Sequence, residues 1–108
     1  MELKYKKMLS KMKEKEETYG VDKKAEPWFL YMLRCSDGSL YTGVTNNLER
    51  RLTMHNKGTA SRYTRTRLPV EMLYHETCAS RTQAMVRECA VKAFSRKQKD
   101  ELIRAMQS

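Results

Sequence analysis

The feature that most constrains the fold is a pair of short apolar segments separated by a turn sequence. The first, WFLYMLRC, occupies residues 28–35, and the second, LYTGVT, occupies residues 40–45. Aromatic and aliphatic runs of this length are typical of β-strands, and the intervening SDGS carries an Asp-Gly pair that favours a tight turn. The sequence therefore predicts a β-hairpin around which the rest of the chain must pack.

Helix signals follow the hairpin at three places. Asn46 occupies a predicted N-cap position with Glu49 three residues later, and Gly58 stands where the helix should stop, which predicts a first helix over about 47–57. The same cap spacing predicts two further helices that begin near residues 81 and 96, from Ser80 with Gln83 and from Ser95 with Gln98.

A third strand is predicted between these helices. PVEMLYHET, residues 69–77, is rich in strand formers, and Pro69 is tolerable at a strand start. Residues 59–68 show no period and are predicted to form a basic loop. At 108 residues a single domain is expected. The expected fold is α+β, with a small, mainly antiparallel three-stranded sheet covered by helices in the order β-β-α-β-α-α.

Residues 1–27 differ from the remainder and are predicted to be a charged extension of a domain over 28–108. They contain eight lysines, six acidic residues and no arginine. Four apolar side chains recur at helical spacing, which allows one apolar stripe: Tyr5, Met8, Leu9 and Met12. We expect a helical or disordered extension, with a partner-binding helix as the alternative.

The charge balance points to a polyanionic partner. The chain has 22 Lys and Arg against 13 Asp and Glu, a formal net charge of +9, which suits nucleic acid. The three cysteines, Cys35, Cys78 and Cys89, form no C-x-x-C pair and leave an odd thiol, so neither a disulfide framework nor a thiolate zinc site is expected. No export segment or membrane span is recognisable, and we expect a cytoplasmic protein.

The first predicted helix carries the most suggestive side chains. Leu48, Leu52 and His55 form a stripe that should face the sheet, and Arg51 flanks it one turn before His55. A guanidinium held there could bind a phosphate with two parallel hydrogen bonds. The plain alternative is a surface arginine lying over apolar neighbours, with a polar residue at the edge of the core.

The hairpin register decides whether its two tyrosines can share a site. A two-residue turn at Asp37-Gly38 would put Tyr31 and Tyr41 on opposite faces of the sheet, whereas a three-residue or bulged turn would bring them together. Gly43, inside a strand pattern, often marks a bulge or a close backbone approach. A shared site therefore requires a departure from the two-residue hairpin.

These segments together resemble the GIY-YIG nuclease superfamily, and especially its small stand-alone bacterial members. The resemblance rests on FLY at 29–31, YTG at 41–43, LERRLTMH at 48–55 and a later helical glutamate. It implies an α/β sandwich that hydrolyses DNA phosphodiester bonds with one Mg²⁺ or Mn²⁺. The implied active-site residues are Tyr31, Tyr41, Arg51 as transition-state stabiliser, His55, and Glu88 as the metal ligand.

This sequence departs from the family pattern at two places, and Glu88 has a second, structural explanation. Phe29 and Leu30 stand where the family name has glycine and isoleucine, and no asparagine follows Asn56, although many members carry a late one; Gln98 and Lys99 are candidates for its place. Glu88 also precedes Lys92 by four residues, the favourable order for a helical ion pair.

Basic side chains flank the proposed site. Six lie between Arg50 and Arg67 with no acidic residue among them, and a second group lies near the start of the last helix. Backbone contacts of this kind give affinity with little sequence information, so we expect nonspecific or structure-guided binding. The alternative is a solubilising loop. The candidate DNA contacts are Arg50, Lys57, Arg62, Arg65, Arg67, Arg96, Lys97 and Lys99.

Three hypotheses remain open from the sequence. The leading one is a divalent-metal-dependent endonuclease linked to DNA repair or processing, acting on branched or damaged DNA, with a protein partner supplying specificity. The second is a noncatalytic nucleic-acid-binding module that keeps the nuclease fold. The third is an adaptor that presents its basic surface to an acidic protein.

Overall fold

The computed structural model describes residues 27–107, and its first elements are the two strands of the predicted hairpin. β1 spans Trp28–Arg34 and β2 spans Leu40–Thr45, and they pair antiparallel. The apolar stripe predicted over residues 5–12 lies outside the described residues.

The hairpin has a three-residue turn and not the two-residue form. The Cys35 N–H donates to the Ser39 carbonyl at 2.9 Å, so the ladder closes around residues 36–38, with Gly38 at a φ of 85°. Tyr31 is therefore opposite Gly43, and Leu33 is opposite Tyr41. Since side chains alternate between faces along a strand, Tyr31 and Tyr41 share one face of the sheet, as a common site requires.

β3, Glu71–Cys78, completes the sheet by pairing antiparallel with β1, so the strand order is β2-β1-β3. It begins two residues later than predicted because Val70 bonds elsewhere. The Val70 N–H donates to Asn56 Oδ1 at 2.9 Å, and Asn56 Nδ2 donates to the Val70 carbonyl at 3.1 Å. The amide of Asn56 thus replaces a neighbouring strand at this position.

The first helix agrees with the prediction except at its cap. α1 spans Leu48–Asn56, and its N-cap is Asn47 and not Asn46, because the Arg50 N–H donates to Asn47 Oδ1 at 3.0 Å. The Gly58 N–H donates to the His55 carbonyl at 2.9 Å with a φ of 79° at Gly58, which ends the helix there.

The basic segment is not wholly a loop, so that prediction is wrong. α2, Arg62–Arg65, is a single helical turn that starts at Ser61, whose side chain accepts hydrogen bonds from the N–H groups of Tyr63 and Thr64. The later caps are confirmed: α3 spans Arg81–Lys92 behind Ser80, and α4 spans Arg96–Gln107 behind Ser95. Apart from this additional single turn, the predicted order β-β-α-β-α-α is confirmed.

The sheet buries both faces, and β1 supplies alternate residues to each. Leu30 and Met32 pack with Val91 of α3 and Ile103 of α4. Tyr31 and Leu33 face the opposite side, where the partly buried leucines of α1 cover them. The predicted α+β architecture is therefore confirmed as a sandwich with α1 on one side and α3 and α4 on the other. Over residues 27–107, no helix combines the length and apolar character needed to cross a membrane.

Gly43 lets a tyrosine ring lie directly against the backbone of β2. A Cβ atom at this position would stand 2.6 Å from Tyr31 Oη and 2.8 Å from Tyr31 Cζ, and Tyr31 is fully buried. Such contacts are far inside van der Waals separation, and the ring has no free space into which to move. The glycine in the middle of the strand is thus a requirement of the Tyr31 side chain.

We expect Gly43→Ala to lower the free energy of unfolding by about 1–3 kcal/mol, the usual cost of overpacking a closed core. Urea denaturation at pH 7 measures it. In the Tyr31→Leu background the added methyl meets no ring, so the same substitution should cost less than about 1 kcal/mol. Equal costs in the two backgrounds would show that the ring does not impose the glycine.

Candidate active site

The structure brings together four of the five residues that the sequence singled out for catalysis. Tyr31 comes from β1, Tyr41 from β2, and Arg51 and His55 from α1. Tyr31 Oη lies 2.8 Å from His55 Nε2, and the Tyr41 ring centroid lies 6.4 Å from that of Tyr31 and 5.1 Å from that of His55. Two phenols, an imidazole and a guanidinium therefore form one cluster on the α1 side of the sheet.

His55 is a core residue and has no exposed surface. Both ring nitrogens are bonded, Nε2 to Tyr31 Oη and Nδ1 to Thr64 Oγ1, each at 2.8 Å. Burial, followed by the positive charge of Arg51, lowers the pKa of His55 from 6.5 to about 4. The imidazole is consequently neutral near pH 7.

Arg51 lies over the cluster and is half-buried, and two of its guanidinium nitrogens donate hydrogen bonds within the protein. Its Nε donates to Tyr31 Oη and its Nη2 to the Ala60 carbonyl, both at 3.4 Å. No hydrogen bond from Nη1 to another described residue is found. The side chain is therefore oriented by the protein and retains donors for an anion.

Tyr31 keeps its proton over the ordinary pH range. Burial raises its pKa to about 12, and the hydrogen bond from Arg51 opposes this shift without cancelling it. The charges of Tyr41 and Glu88 act in the same direction as burial. The contribution of Glu88 is the smallest of these, and its helix, α3, packs against Leu30 and Met32 on the other face of the sheet.

Glu88 occupies the sheet-facing side of α3. It follows buried Ala84 by four residues and precedes buried Val91 by three, and its side chain is only 19% exposed. It also pairs with Lys92, with Nζ 3.6 Å from Oε2, so the helical ion pair considered as an alternative does form. The carboxylate thus has a structural partner, and among residues 27–107 it makes no hydrogen bond or ion pair with the tyrosine cluster.

The sequence reasoning missed two contributors from α2. Thr64, fully buried, bonds to His55, and Tyr63, 38% exposed, stacks on Tyr41 with ring centroids 6.1 Å apart. They were missed because a helix of one turn has no period to detect. Ser61 directly before RYTR was the available signal, since serine is a favoured N-cap.

The predicted DNA contacts divide into two groups. Three of the arginines have partners in the protein: Arg50 Nη2 bonds to Asn46 Oδ1 at 3.1 Å, Arg67 Nε to Asp37 Oδ2 at 3.0 Å, and Arg96 Nε to Asp100 Oδ1 at 3.0 Å. Arg67 also covers the Tyr63 ring, with its Cζ 3.8 Å from the centroid. The others make no ion pair among residues 27–107: Lys57, Arg62, Arg65 and Lys97 are exposed, and Lys99 is half-buried.

Gln98 was a candidate for the place of the late asparagine, and its side chain caps the start of α4. Its Oε1 accepts the Ser95 N–H at 2.8 Å, and the Gln98 N–H donates to Ser95 Oγ at 3.1 Å. This reciprocal pair is a capping box at the start of α4. The amide is therefore committed to the helix end.

Few side chains at the candidate site could ligate a metal ion. In the part of the chain that the structure describes, no group of three or more His, Cys, Asp or Glu side chains could hold an ion. Glu88 by itself still fits Mg²⁺, which retains several waters and accepts phosphate oxygens as ligands. The residues are thus compatible with an ion that the substrate helps to hold.

Comparison with known proteins gives one consistent answer. The family described as the GIY-YIG catalytic domain matches residues 27–101. A UPF0213 protein from Desulfotalea psychrophila is 48% identical over 79 residues, covering 72% of each chain, and one from Bacillus pumilus is 49% identical over 78 residues, covering 72% of this chain and 80% of the relative.

A solved structure is similar as well. The solution NMR structure of a protein from E. faecalis is 40% identical, with a TM-score of 0.53, and the match covers 76% of this chain and 88% of that one. The residues that carried the resemblance, FLY, YTG and LERRLTMH, all lie within the matched range. The chain belongs to the GIY-YIG catalytic domain family.

Proposed function

We propose that this protein is a divalent-metal-dependent endonuclease that hydrolyses DNA phosphodiester bonds in DNA repair or processing. The observation that carries the proposal is the convergence of Tyr31, Tyr41, Arg51 and His55 from three separate elements, with Glu88 near enough to influence Tyr31. A purely structural core does not require a half-buried arginine with unused donors beside two phenols.

Each side chain suits one requirement of hydrolysis at phosphorus. Arg51 is fixed by two hydrogen bonds and can offer its remaining N–H groups to the non-bridging oxygens, where charge accumulates in the transition state. Tyr31 lies beside it but is fully buried, so its oxygen can accept a hydrogen bond from an attacking water only once a covering side chain moves. His55 is neutral at pH 7 and can take up a proton that passes through Tyr31.

Glu88 would hold the metal through its carboxylate. A divalent ion there would neutralise charge on the phosphate and help ionise a bound water. Lys92, which pairs with Glu88, carries the carboxylate's countercharge until such an ion is bound. We propose Mg²⁺ or Mn²⁺ on the same basis.

The DNA path is proposed to run over α1, the loop after it, and α2. Lys57, Arg62 and Arg65 are exposed there without acidic partners among residues 27–107. Side chains of this kind contact phosphates and carry little sequence information, so recognition would follow the shape of branched or damaged DNA, or depend on a partner. Residues 28–108 would form the nuclease domain, with the extension 1–27 available for such a partner.

A noncatalytic DNA-binding module is the second candidate function. It is favoured by the small number of carboxylates at the site and by the lack of an asparagine after Asn56. Both functions require the basic surface, whereas only the first requires Glu88. Cleavage therefore separates them, and binding does not.

We expect Arg51→Ala and Glu88→Gln to lower the rate of plasmid nicking by roughly a hundredfold or more, since each removes a group that neutralises transition-state charge. The assay uses supercoiled and branched DNA with Mn²⁺ or Mg²⁺. Arg104→Ala and Glu101→Gln are matched controls on the exposed side of α4 and should nick as the parent does. Equal rates in all five proteins would identify the activity as a contaminant and support the binding module.

We expect Arg62→Ala and Arg65→Ala each to weaken DNA binding and to reduce the slope of log affinity against log salt by about 1, the value for one lost phosphate contact. Fluorescence anisotropy between low and moderate NaCl gives the slope. Arg104→Ala should leave it unchanged. Affinity that does not respond to salt in the parent would remove the basis for this DNA path.

The stability of the protein should fall as the pH is lowered from about 6.5 to about 4. In this window His55 takes up a proton in the unfolded chain and stays neutral in the folded one, so protonation favours unfolding by roughly 3 kcal/mol in total. Urea denaturation at several pH values measures the slope. His55→Gln should be less stable at pH 7 and should lose this part of the slope; an unchanged slope would show that another group is responsible.

A further inference from the structure

We infer that Thr64 is a positioning residue that accepts the hydrogen of His55 Nδ1, so that Nε2 stays unprotonated and accepts the hydroxyl hydrogen of Tyr31. This inference deepens the proposed function, on whose roles for Tyr31 and His55 it rests. It follows from tracing the hydrogen atoms along one buried chain of polar groups.

The chain begins at a group that can only accept. The Ser61 carbonyl lies 3.5 Å from Thr64 Oγ1, and Thr64 has a single hydroxyl hydrogen to donate to it. The Ser61 hydroxyl is not an alternative acceptor at this point, because it accepts the N–H groups of Tyr63 and Thr64. At 3.5 Å this contact is long for an O–H···O hydrogen bond, so it permits Thr64 to donate to the carbonyl but does not by itself decide the direction.

That neighbour is His55, whose Nδ1 lies 2.8 Å from Thr64 Oγ1. A contact of this length requires a hydrogen between the two atoms, which belongs either to Nδ1 or to the Thr64 hydroxyl. Burial and the Arg51 charge lower the pKa of His55 to about 4, so near pH 7 the ring has one N–H only. That N–H is on Nδ1 or on Nε2, and the partner of Nε2 decides between them.

The other neighbour of His55 in this hydrogen-bond chain is Tyr31. Its Oη lies 2.8 Å from His55 Nε2, which is the one acceptor within hydrogen-bond distance of this buried hydroxyl among residues 27–107, so Tyr31 donates and the His55 hydrogen is on Nδ1. At the far end Arg51 Nε lies 3.4 Å from the same Oη, and a guanidinium can only donate, which agrees with this direction. Every group in the chain from Arg51 to Ser61 is satisfied in one direction.

The consequence concerns what Tyr31 offers a substrate. With its hydrogen directed at His55, the phenol oxygen can accept a proton but cannot donate to a phosphate oxygen, and because Tyr31 has no exposed surface, a water reaches it only when a covering side chain moves. If a water gives a proton to Oη, the phenol proton can move to Nε2 in the same step, which leaves hydroxide, neutral tyrosine and an imidazolium. The total proton count is unchanged, and no further reactant is needed.

Removal of the Thr64 hydroxyl should weaken this preference. In Thr64→Val an Nδ1–H would be buried without an acceptor, whereas in the other tautomer Nε2–H donates to Tyr31 and the Tyr31 hydroxyl hydrogen loses its acceptor. Each form then leaves one donor unpaired, so the two become close in free energy. Thr64→Ser keeps the hydroxyl and serves as the matched control.

The test is long-range ¹H–¹⁵N NMR of the full chain with labelled histidine at pH 7, which distinguishes the two neutral tautomers of His55. We expect the Nδ1–H form in the parent and in Thr64→Ser, and the Nε2–H form or a mixture in Thr64→Val. The Nε2–H form in the parent would overturn the inference without any variant. An unchanged tautomer in a folded Thr64→Val would also overturn it, and Thr64→Ala replaces that variant if it does not fold.

Nicking assays on the same proteins give an independent result. We expect kcat to fall roughly tenfold to a hundredfold in Thr64→Val with KM little changed, and to recover in Thr64→Ser, as is usual for a partner that orients a functional histidine. A folded Thr64→Val with altered tautomer and full kcat would exclude a role for Thr64 in the reaction. If the parent does not nick DNA, the proposed function fails, while the NMR result still decides the tautomer.

Discussion

The buried hydrogen bond between Tyr31 and His55 is the interaction on which the site depends. It joins the central strand to α1 across the sheet face, and several other features serve it. Gly43 provides the space that the Tyr31 ring occupies, and the three-residue turn brings Tyr41 to the same face. A polar pair at this depth is stable only when every lone pair and hydrogen is satisfied, and α2 supplies the last partner through Thr64.

The electrostatics of the site follow from this burial. Tyr31 and His55 are both neutral near pH 7, because burial raises the pKa of the phenol and lowers that of the imidazole. The formal charges of the candidate cluster are thus those of Arg51 and Glu88, and the latter has Lys92 as its counterion. In a site arranged in this way Arg51 would attract an incoming anion, and the Glu88 carboxylate could ligate one additional cation. Both properties agree with a phosphodiester substrate and a divalent metal.

Much of this could be predicted from the sequence, and the failures have physical causes. Strand patterns and serine caps gave the element order, because each depends on neighbouring residues. The N-cap was misplaced between Asn46 and Asn47 because adjacent asparagines are equivalent as caps until one of them bonds to the helix. The sequence could not decide the turn length, since the Cys35–Ser39 pair that closes it has no local signal. The ion pair of Arg67, a candidate DNA contact, could not be predicted because its partner, Asp37, lies thirty residues away in the chain.

The tip of the hairpin has a consequence beyond the site. Arg67 binds the Asp37 carboxylate, Arg96 Nη1 donates to the Gly38 carbonyl at 2.9 Å, and the Ser36 N–H donates to the Arg67 carbonyl at 2.9 Å. Exposed hairpin tips usually accept insertions, because nothing depends on their length. Here the tip is a junction between β1, the segment after α2 and the start of α4. Extra residues at this tip would separate three parts of the molecule, so lineages that lengthen this protein should do so elsewhere along the chain.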